Sequence, residues 1–288
     1  MYTNFELNSN GVKLYGHHWA PENANRVVVL IHGIGEHAGR YNRMAEYFAH
    51  DGIALVSMDL RGHGHTAGVR GHAAPRKDML SDIDALIEYA RAAYPGLPLI
   101  LYGHSMGGNL VLDYRRRGGL SAVPDAYIIS APWVKLVNDF PKPVVGFIRG
   151  ASKLFPQFRV SSSCDEGVLG NPDTVRPYHD DPLVHGSITL LCAAECYTIG
   201  EQLFAGTLHG SDAEGAADAG TKKPTLLMHG NADRICDVAG SRRIAELEPE
   251  ITYVEWDGYF HEIHNGNKTE TGEKAILRAI EFIKGVEL

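Results

Sequence analysis

The chain has 288 residues, of which 44% are hydrophobic and 22% are charged. This balance predicts a soluble globular protein and excludes an intrinsically disordered one, because the apolar surface is large enough to offset the entropy lost on folding. The formal net charge is −8, and the longest basic run is Arg115–Arg117. We therefore expect no nucleic-acid partner, since such partners require an extended basic face.

The N-terminus and the cysteines predict a cytoplasmic location. The chain opens without a basic segment followed by an apolar stretch, so we expect no secretory signal peptide. No uncharged apolar run approaches the roughly 20 residues that span a bilayer. The four cysteines are scattered and do not resemble a disulfide framework.

Two short patterns come close to metal-binding spacings without completing them. Cys192 and Cys196 lie one helical turn apart, but no second pair of ligands with suitable spacing accompanies them. The stretch from His261 to His264 is one residue shorter than the H-E-x-x-H zinc motif. We predict no metal site and interpret the two cysteines as buried thiols.

Short apolar runs alternate with longer segments of helical periodicity in the first part of the chain. The β-branched run at 26–31 is typical of a strand buried on both faces of a parallel sheet. Apolar residues on one face of 79–93 predict an amphipathic helix. The elements predicted here are strands at 26–31, 53–58, 99–102 and 126–130 and helices at 40–50 and 79–93.

After Pro132 this alternation stops. Residues from about 133 to 206 contain prolines, aromatic residues and helix-like pieces, but no clear strand. Such a pattern between βαβ units predicts an α/β fold with an insertion. Its core covers residues 1–132 and 207–288, and the largely helical insertion covers 133–206. Beyond the insertion, the pattern predicts strands at 225–229 and 252–256 and a helix at 274–283.

The segment Gly103–Gly107 reads G-x-S-x-G and lies between a predicted strand and a predicted helix. A strand-to-helix turn this sharp holds its central residue in a strained conformation, with the flanking glycines avoiding clashes. The hydroxyl then stands at a helix N-terminus, which stabilises developing negative charge. We predict that Ser105 is a nucleophile; the alternative is an ordinary glycine-rich turn.

A serine hydroxyl needs a base to take its proton and a carboxylate to orient that base. In this architecture the chain order is Ser, acid, His, with each residue following a strand. Asp233 and His261 meet this condition, while Asp237 and Asp257 are competing acids that suit a turn or a helix cap better. The oxyanion of the intermediate needs two N–H donors, for which we predict those of Ile34 and Met106.

Five motifs resemble, in sequence order, those of the monoacylglycerol lipase/lysophospholipase-like group of α/β-hydrolases, which includes proteins labelled serine aminopeptidases. The resemblance covers nearly the whole chain and is weakest between about 133 and 222. The motifs are His32–Tyr41, Asp59–Gly64, Gly103–Gly108, His229–Arg234 and Gly258–Ile263.

This resemblance implies an α/β-hydrolase fold, with a mostly parallel central sheet flanked by helices and a cap inserted after Ser130. It also implies a Ser105–Asp233–His261 triad with an oxyanion hole at Ile34 and Met106. Members of the group cleave esters of one fatty acyl chain with glycerol or a glycerophosphodiester, and they use no cofactor.

The predicted cap contains an apolar segment at 140–155 that is bounded by prolines. It carries more apolar residues than one packed helix face needs, and we predict that Val144, Phe147 and Ile148 bind substrate. The same surface could dock transiently on a membrane or micelle. The alternative is that these residues form the core of the cap itself.

Three rival functions remain open at this point. A small aryl or cinnamoyl carboxylesterase and an aminopeptidase-type amidase would use the same nucleophile on other substrates. A non-catalytic binding protein could retain the fold and the triad. The leading prediction is a serine hydrolase that cleaves monoacylglycerols or lysophospholipids through an acyl-enzyme on Ser105.

Overall fold

A computed structural model describes residues 1–162, 165–175, 177, 180–210 and 218–286. Within these ranges, eight strands form one sheet and two more form a small separate sheet. The strands are β1 (Tyr2–Ser9), β2 (Val12–Trp19), β3 (Arg26–Ile31), β4 (Ile53–Met58), β5 (Leu99–His104), β6 (Ala126–Ser130), β7 (Arg159–Ser161), β8 (Ser187–Thr189), β9 (Thr225–Gly230) and β10 (Thr252–Trp256).

The large sheet has the strand order β1-β2-β4-β3-β5-β6-β9-β10. From β4 to β10 every pairing is parallel, whereas β1–β2 and β2–β4 are antiparallel. The mostly parallel sheet predicted from the sequence is therefore confirmed. Parallel strands require burial on both faces, and β4, β5 and β6 are buried along their whole length.

Helices cover both faces of this sheet. One hydrophobic cluster joins the sheet to α2 and α3, and the other joins it to α1 and α7. All carboxyl ends of the parallel strands lie at the same edge, so the loops that follow β3, β5, β9 and β10 meet there. The helices are α1 (Asn42–His50), α2 (Arg76–Ala93), α3 (Met106–Arg117), α4 (Lys142–Ser152), α5 (Leu190–Ala205), α6 (Val238–Leu247) and α7 (Glu273–Lys284).

The segment between β6 and β9 contains α4 and α5, in keeping with a largely helical insertion. The expectation that it has no strand was wrong, because β7 pairs with β8 as a short antiparallel ladder. Each of these strands has three residues, too short to leave a period-two pattern in the sequence. None of the helices among the described residues is long and apolar enough to cross a membrane.

Candidate active site

The candidate nucleophile Ser105 is the single residue between β5 and α3. Its φ of 56° lies in the left-handed region that non-glycine residues avoid. Neighbouring glycines make room for this turn: a Cβ on Gly103 would lie 2.4 Å from the carbonyl oxygen of Gly107, and one on Gly107 would lie 2.1 Å from that of Ile31. The turn therefore needs glycine at both flanking positions, as the G-x-S-x-G pattern predicts.

The three predicted catalytic side chains meet in one hydrogen-bonded chain. Ser105 Oγ lies 2.9 Å from His261 Nε2, and His261 Nδ1 lies 2.7 Å from Asp233 Oδ2. Each of these residues is at least nine-tenths buried. Since Asp233 follows β9 and His261 follows β10, the parallel register of these strands brings the acid and the base beside the end of β5.

The Asp233 carboxylate has hydrogen-bond donors on both oxygens. Oδ1 accepts the backbone N–H groups of Ile235 and Cys236 at 2.7 and 3.0 Å, and Oδ2 lies 3.0 Å from His229 Nε2 as well as near His261. Burial alone raises the pKa of Asp233, but the charge of His261 and the hydrogen bonds outweigh it and lower the pKa well below its ordinary value. The group is thus ionised whenever the protein is folded near neutral pH.

The two competing acids have other partners. Asp237 accepts the N–H of Ala239 at 2.9 Å at the start of α6 and pairs with Lys135. Asp257 accepts from the side chain of Asn231 at 3.0 Å in an exposed turn. Both geometries agree with the cap and turn roles that the sequence favoured for them.

His229 is a buried residue of this site that the sequence reasoning missed. Its Nδ1 lies 2.7 Å from Ser241 Oγ, while its Nε2 faces the oxygens of Asp233 and Cys236. Two acceptors at Nε2 require that nitrogen to carry the proton, so Nδ1 accepts from the serine hydroxyl. His229 therefore fixes the orientation of the acid. The spacing of four residues from Asp233 at the end of β9 was the available signal.

His261 has opposing influences on its pKa. Burial lowers it, but the charge and hydrogen bond of Asp233 raise it further, and the net pKa is above the ordinary 6.5. Two other imidazoles lie close, with the ring of His104 centred 4.9 Å from that of His261 and 5.4 Å from that of His264. Burial lowers the pKa of His264 to about 3 and that of His104 well below 6.5. Both stay neutral, which leaves His261 as the base.

The loop after β3 approaches the nucleophile closely. A Cβ on Gly33 would lie 3.0 Å from Ser105 Cβ, so the backbone at this point faces the hydroxyl. The Gly33 N–H donates to Glu36 Oε1 at 2.6 Å, which anchors the loop from behind. Ile34 follows on this loop, and Met106 begins α3 directly after Ser105. The two predicted oxyanion donors therefore lie on the two backbone segments that flank the hydroxyl.

Ser105 borders two cavities of different size. The larger, of about 590 Å³, has a mostly apolar lining. The smaller, of about 60 Å³, lies beside His185 and Glu36. Apolar residues of the large cavity include Trp133, Leu136, Phe140, Ile148, Val160, Ile188, Leu190 and Tyr197.

The structure separates the three predicted substrate-binding residues of the insertion. Ile148 lines the large cavity, whereas Val144 and Phe147 are 39% and 73% exposed and do not belong to its lining. Val145, which the sequence did not single out, is buried in the hydrophobic cluster. Among the residues described, no three or more His, Cys, Asp or Glu side chains form a group that could hold a metal ion.

Known proteins resemble this chain in sequence or in structure. The monoacylglycerol lipase of Mycolicibacterium smegmatis is 31% identical over 273 residues, which cover 93% of this chain and 91% of that protein. The monoglyceride lipase of Homo sapiens is 30% identical over 266 residues, covering 90% and 82%. The crystal structure of Paleococcus ferrophilus monoacylglycerol lipase superposes with a TM-score of 0.79 at 28% identity, covering 95% of this chain and 99% of that one.

The family assignment rests on a match that spans most of the sequence. Residues 22–268 match the family described as serine aminopeptidase, S33. This range contains Ser105, Asp233 and His261 together with the loop that follows β3. The chain belongs to the serine aminopeptidase S33 family of α/β-hydrolases.

Proposed function

We propose that this enzyme hydrolyses monoacylglycerols and related esters of one acyl chain through an acyl-enzyme on Ser105. The observation that carries the proposal is that Ser105 lies between a large, mostly apolar cavity and a much smaller one. An ester with a long hydrocarbon on one side and a small polyol on the other matches this division. The names of the relatives, monoacylglycerol and monoglyceride lipases, support the same substrate class.

In the proposed mechanism, His261 Nε2 takes the proton of Ser105 as its Oγ attacks the ester carbonyl. The tetrahedral oxyanion receives hydrogen bonds from the N–H groups of Ile34 and Met106. His261 then gives its proton to the leaving glycerol oxygen, and the acyl group remains on Ser105. Water attacks this ester with His261 again as base, which releases the fatty acid and restores the hydroxyl. Asp233 holds the imidazole and stabilises its protonated form.

The large cavity is the proposed acyl site. Each methylene that leaves water for an apolar surface contributes about 0.8 kcal/mol, so affinity increases with chain length until the cavity is full. The small cavity is the proposed head-group site, where Ser162 offers a hydrogen bond to a glycerol hydroxyl. Its size favours glycerol over the larger glycerophosphodiester of a lysophospholipid.

We further propose that residues 133–206 form a cap and that the cap contacts lipid surfaces transiently. Several large apolar side chains at α4 and just beyond it are more than half exposed, an unusual concentration for a protein surface. Lys142 and Lys153 are exposed beside them and suit an anionic surface. The exposed apolar residues are Phe140, Phe147, Leu154, Phe155 and Phe158. The cytoplasmic location stays a prediction from the sequence.

A Ser105→Ala variant tests the proposal when it is assayed on p-nitrophenyl esters from acetyl to palmitoyl and on monoacylglycerols. We expect turnover to fall by at least about 10⁴-fold, while wild-type kcat/KM increases with chain length. Ser81→Ala, at a serine of α2 whose hydroxyl donates to the carbonyl of Lys77 in the same helix, is the control serine. Undiminished turnover of Ser105→Ala would exclude the mechanism. A wild-type optimum at acetyl without monoacylglycerol cleavage would favour a small-ester esterase, and cleavage of aminoacyl amides would favour an amidase.

A further inference from the structure

A third cavity, of about 800 Å³, lies away from the active site between α2, the end of α3, α4 and α5. We refer to it as the α2–α5 groove. None of its lining residues lines either cavity at Ser105. Its volume falls within the range of about 300–1,000 Å³ that small-molecule sites occupy. The apolar part of its wall consists of Leu80, Leu191, Ala194 and Ile199.

Basic side chains surround this apolar wall. Five cationic residues line the groove against two carboxylates, although the whole chain carries a net charge of −8. A positive groove on an acidic protein indicates a ligand that is negatively charged. The cationic residues are Arg76, Lys77, Arg117, Arg149 and Lys153, and the carboxylates are Asp84 and Glu195.

Three of the cations have partners in the protein. Arg117 binds Asp113 through two hydrogen bonds, and Arg149 binds Glu201. Arg76 donates through Nη2 to Asn109 at 2.7 Å, and its Nε lies 3.7 Å from Asp113.

The other polar and charged groups of the groove have fewer partners within the protein. Among the described residues, the Nη1 atom of Arg76 has no hydrogen-bond partner although the side chain is more than nine-tenths buried. Lys77 and Lys153 are exposed, and neither forms an ion pair with any residue that the structure describes. Burial raises the pKa of the two carboxyl groups in the groove, Asp84 and Glu195, and so favours their neutral forms.

We infer that the α2–α5 groove binds an amphiphilic anion, a fatty-acid carboxylate with a single hydrocarbon chain. The cations hold the carboxylate, and the apolar wall takes the chain. An inorganic anion would leave the apolar wall uncovered, and an uncharged hydrocarbon would leave the buried Nη1 of Arg76 without an acceptor. The choice of a fatty acid rests on the proposed function, since ester hydrolysis at Ser105 releases this molecule.

The groove shares two helices with the acyl cavity. On α4, Ile148 lines the acyl cavity while Arg149 lines the groove. On α5, Ala193 and Tyr197 line the acyl cavity while Ala194 lines the groove. A ligand in the groove therefore contacts the same two helices that enclose the acyl chain of the substrate.

The experiment measures dodecanoate binding to the full-length Ser105→Ala protein by calorimetry, below the concentration at which dodecanoate forms micelles. Saturating 1-O-dodecylglycerol, an uncharged ether that cannot be hydrolysed, occupies the active-site cavities. We expect binding with one-to-one stoichiometry. The double variant Lys77→Glu/Lys153→Glu should weaken dodecanoate binding at least about tenfold. Lys222→Glu/Lys268→Glu, which changes two exposed lysines outside the groove by the same net charge, should leave it unchanged.

A second variant tests the apolar part without altering the charges. Ser81 lines the groove and is partly exposed, so Ser81→Phe should narrow the groove and weaken binding at least about tenfold. Equal affinity in both lysine double variants would overturn the inference. So would binding of dodecyltrimethylammonium as tight as that of dodecanoate, or of inorganic phosphate alone with equal affinity. Because no turnover is measured, these results are independent of whether the proposed reaction occurs.

Discussion

The loops around Ser105 and the segment from α4 to Phe158 differ in how deeply their side chains are buried. Around Ser105 even polar groups are buried, and Asp233 has four hydrogen-bond donors within 3.0 Å. In the segment around α4, large apolar groups such as Phe147 and Leu154 are about three-quarters exposed. The first region holds its side chains in fixed positions, whereas the second presents the apolar surface that we propose contacts lipid. Under this proposal, chemistry and lipid contact belong to regions with opposite requirements for order.

The largest expected effect comes from removing the negative charge of Asp233 beside His261. Asp233→Asn keeps the shape of the side chain but removes the charge that holds His261, and we expect kcat to fall by about 10⁴-fold. Asp257→Asn, at the exposed turn, is the matched control and should stay within about twofold of the wild type. Steady-state turnover of a soluble ester measures both. A greater loss of turnover in Asp257→Asn than in Asp233→Asn would show that Asp233 is not the acid.

Glycines in the two regions provide a second test of the contrast. A Cβ on Gly33 would lie 2.9 Å from Glu36 Oε1 and 3.0 Å from Ser105 Cβ, whereas one on Gly146 in α4 would meet nothing within 4 Å. Gly33→Ala should displace the loop that carries Ile34 and lower kcat about 10²-fold. Gly146→Ala should retain full turnover and stabilise the protein by up to about 1 kcal/mol. Equal activities would show that the loop after β3 tolerates movement.

The pH dependence tests whether one buried base controls the rate. His261 must be neutral to accept a proton and its pKa is raised, so kcat/KM should fall tenfold per pH unit below a midpoint somewhat above 6.5 and level off above it. Burial and the neighbouring Glu262 raise the pKa of Glu36 to about 7, and its carboxylate raises that of His261. Glu36→Gln should therefore move the midpoint to lower pH. A midpoint that moves to higher pH would contradict this electrostatic coupling.

The same contrast explains how much could be predicted from the sequence. The strand at 26–31 was predicted with both ends, because a β-branched run bounded by turn residues is a local signal. Ser105, Asp233 and His261 were predicted because each follows a predicted strand in the chain order Ser, acid, His, and the structure brings them together. The part played by His229 could not be predicted, because it depends on Ser241 and Asp233 meeting in space.

Within the insertion, local signals were weaker. The ladder between β7 and β8 joins residues 26 or more positions apart and has no periodic signature. Along α4 nearly every position is apolar or small, so periodicity did not distinguish the inward residue Val145 from the outward residue Phe147. The orientation of this helix is decided by its packing against α5, which is tertiary information.

The smallest expected effect separates the two sides of α4. Val145 is 2% exposed and Phe147 is 73% exposed, although both are apolar. Val145→Ala removes buried methyl groups and should lower the free energy of unfolding by about 2 kcal/mol, whereas Phe147→Ala should change it by less than about 0.5 kcal/mol. Urea denaturation measures both values. Phe147→Ala should instead weaken co-sedimentation with lipid vesicles, and Val145→Ala should not. Equal destabilisation would mean that Phe147 packs inside the protein, and the lipid-facing role proposed for α4 would then be wrong.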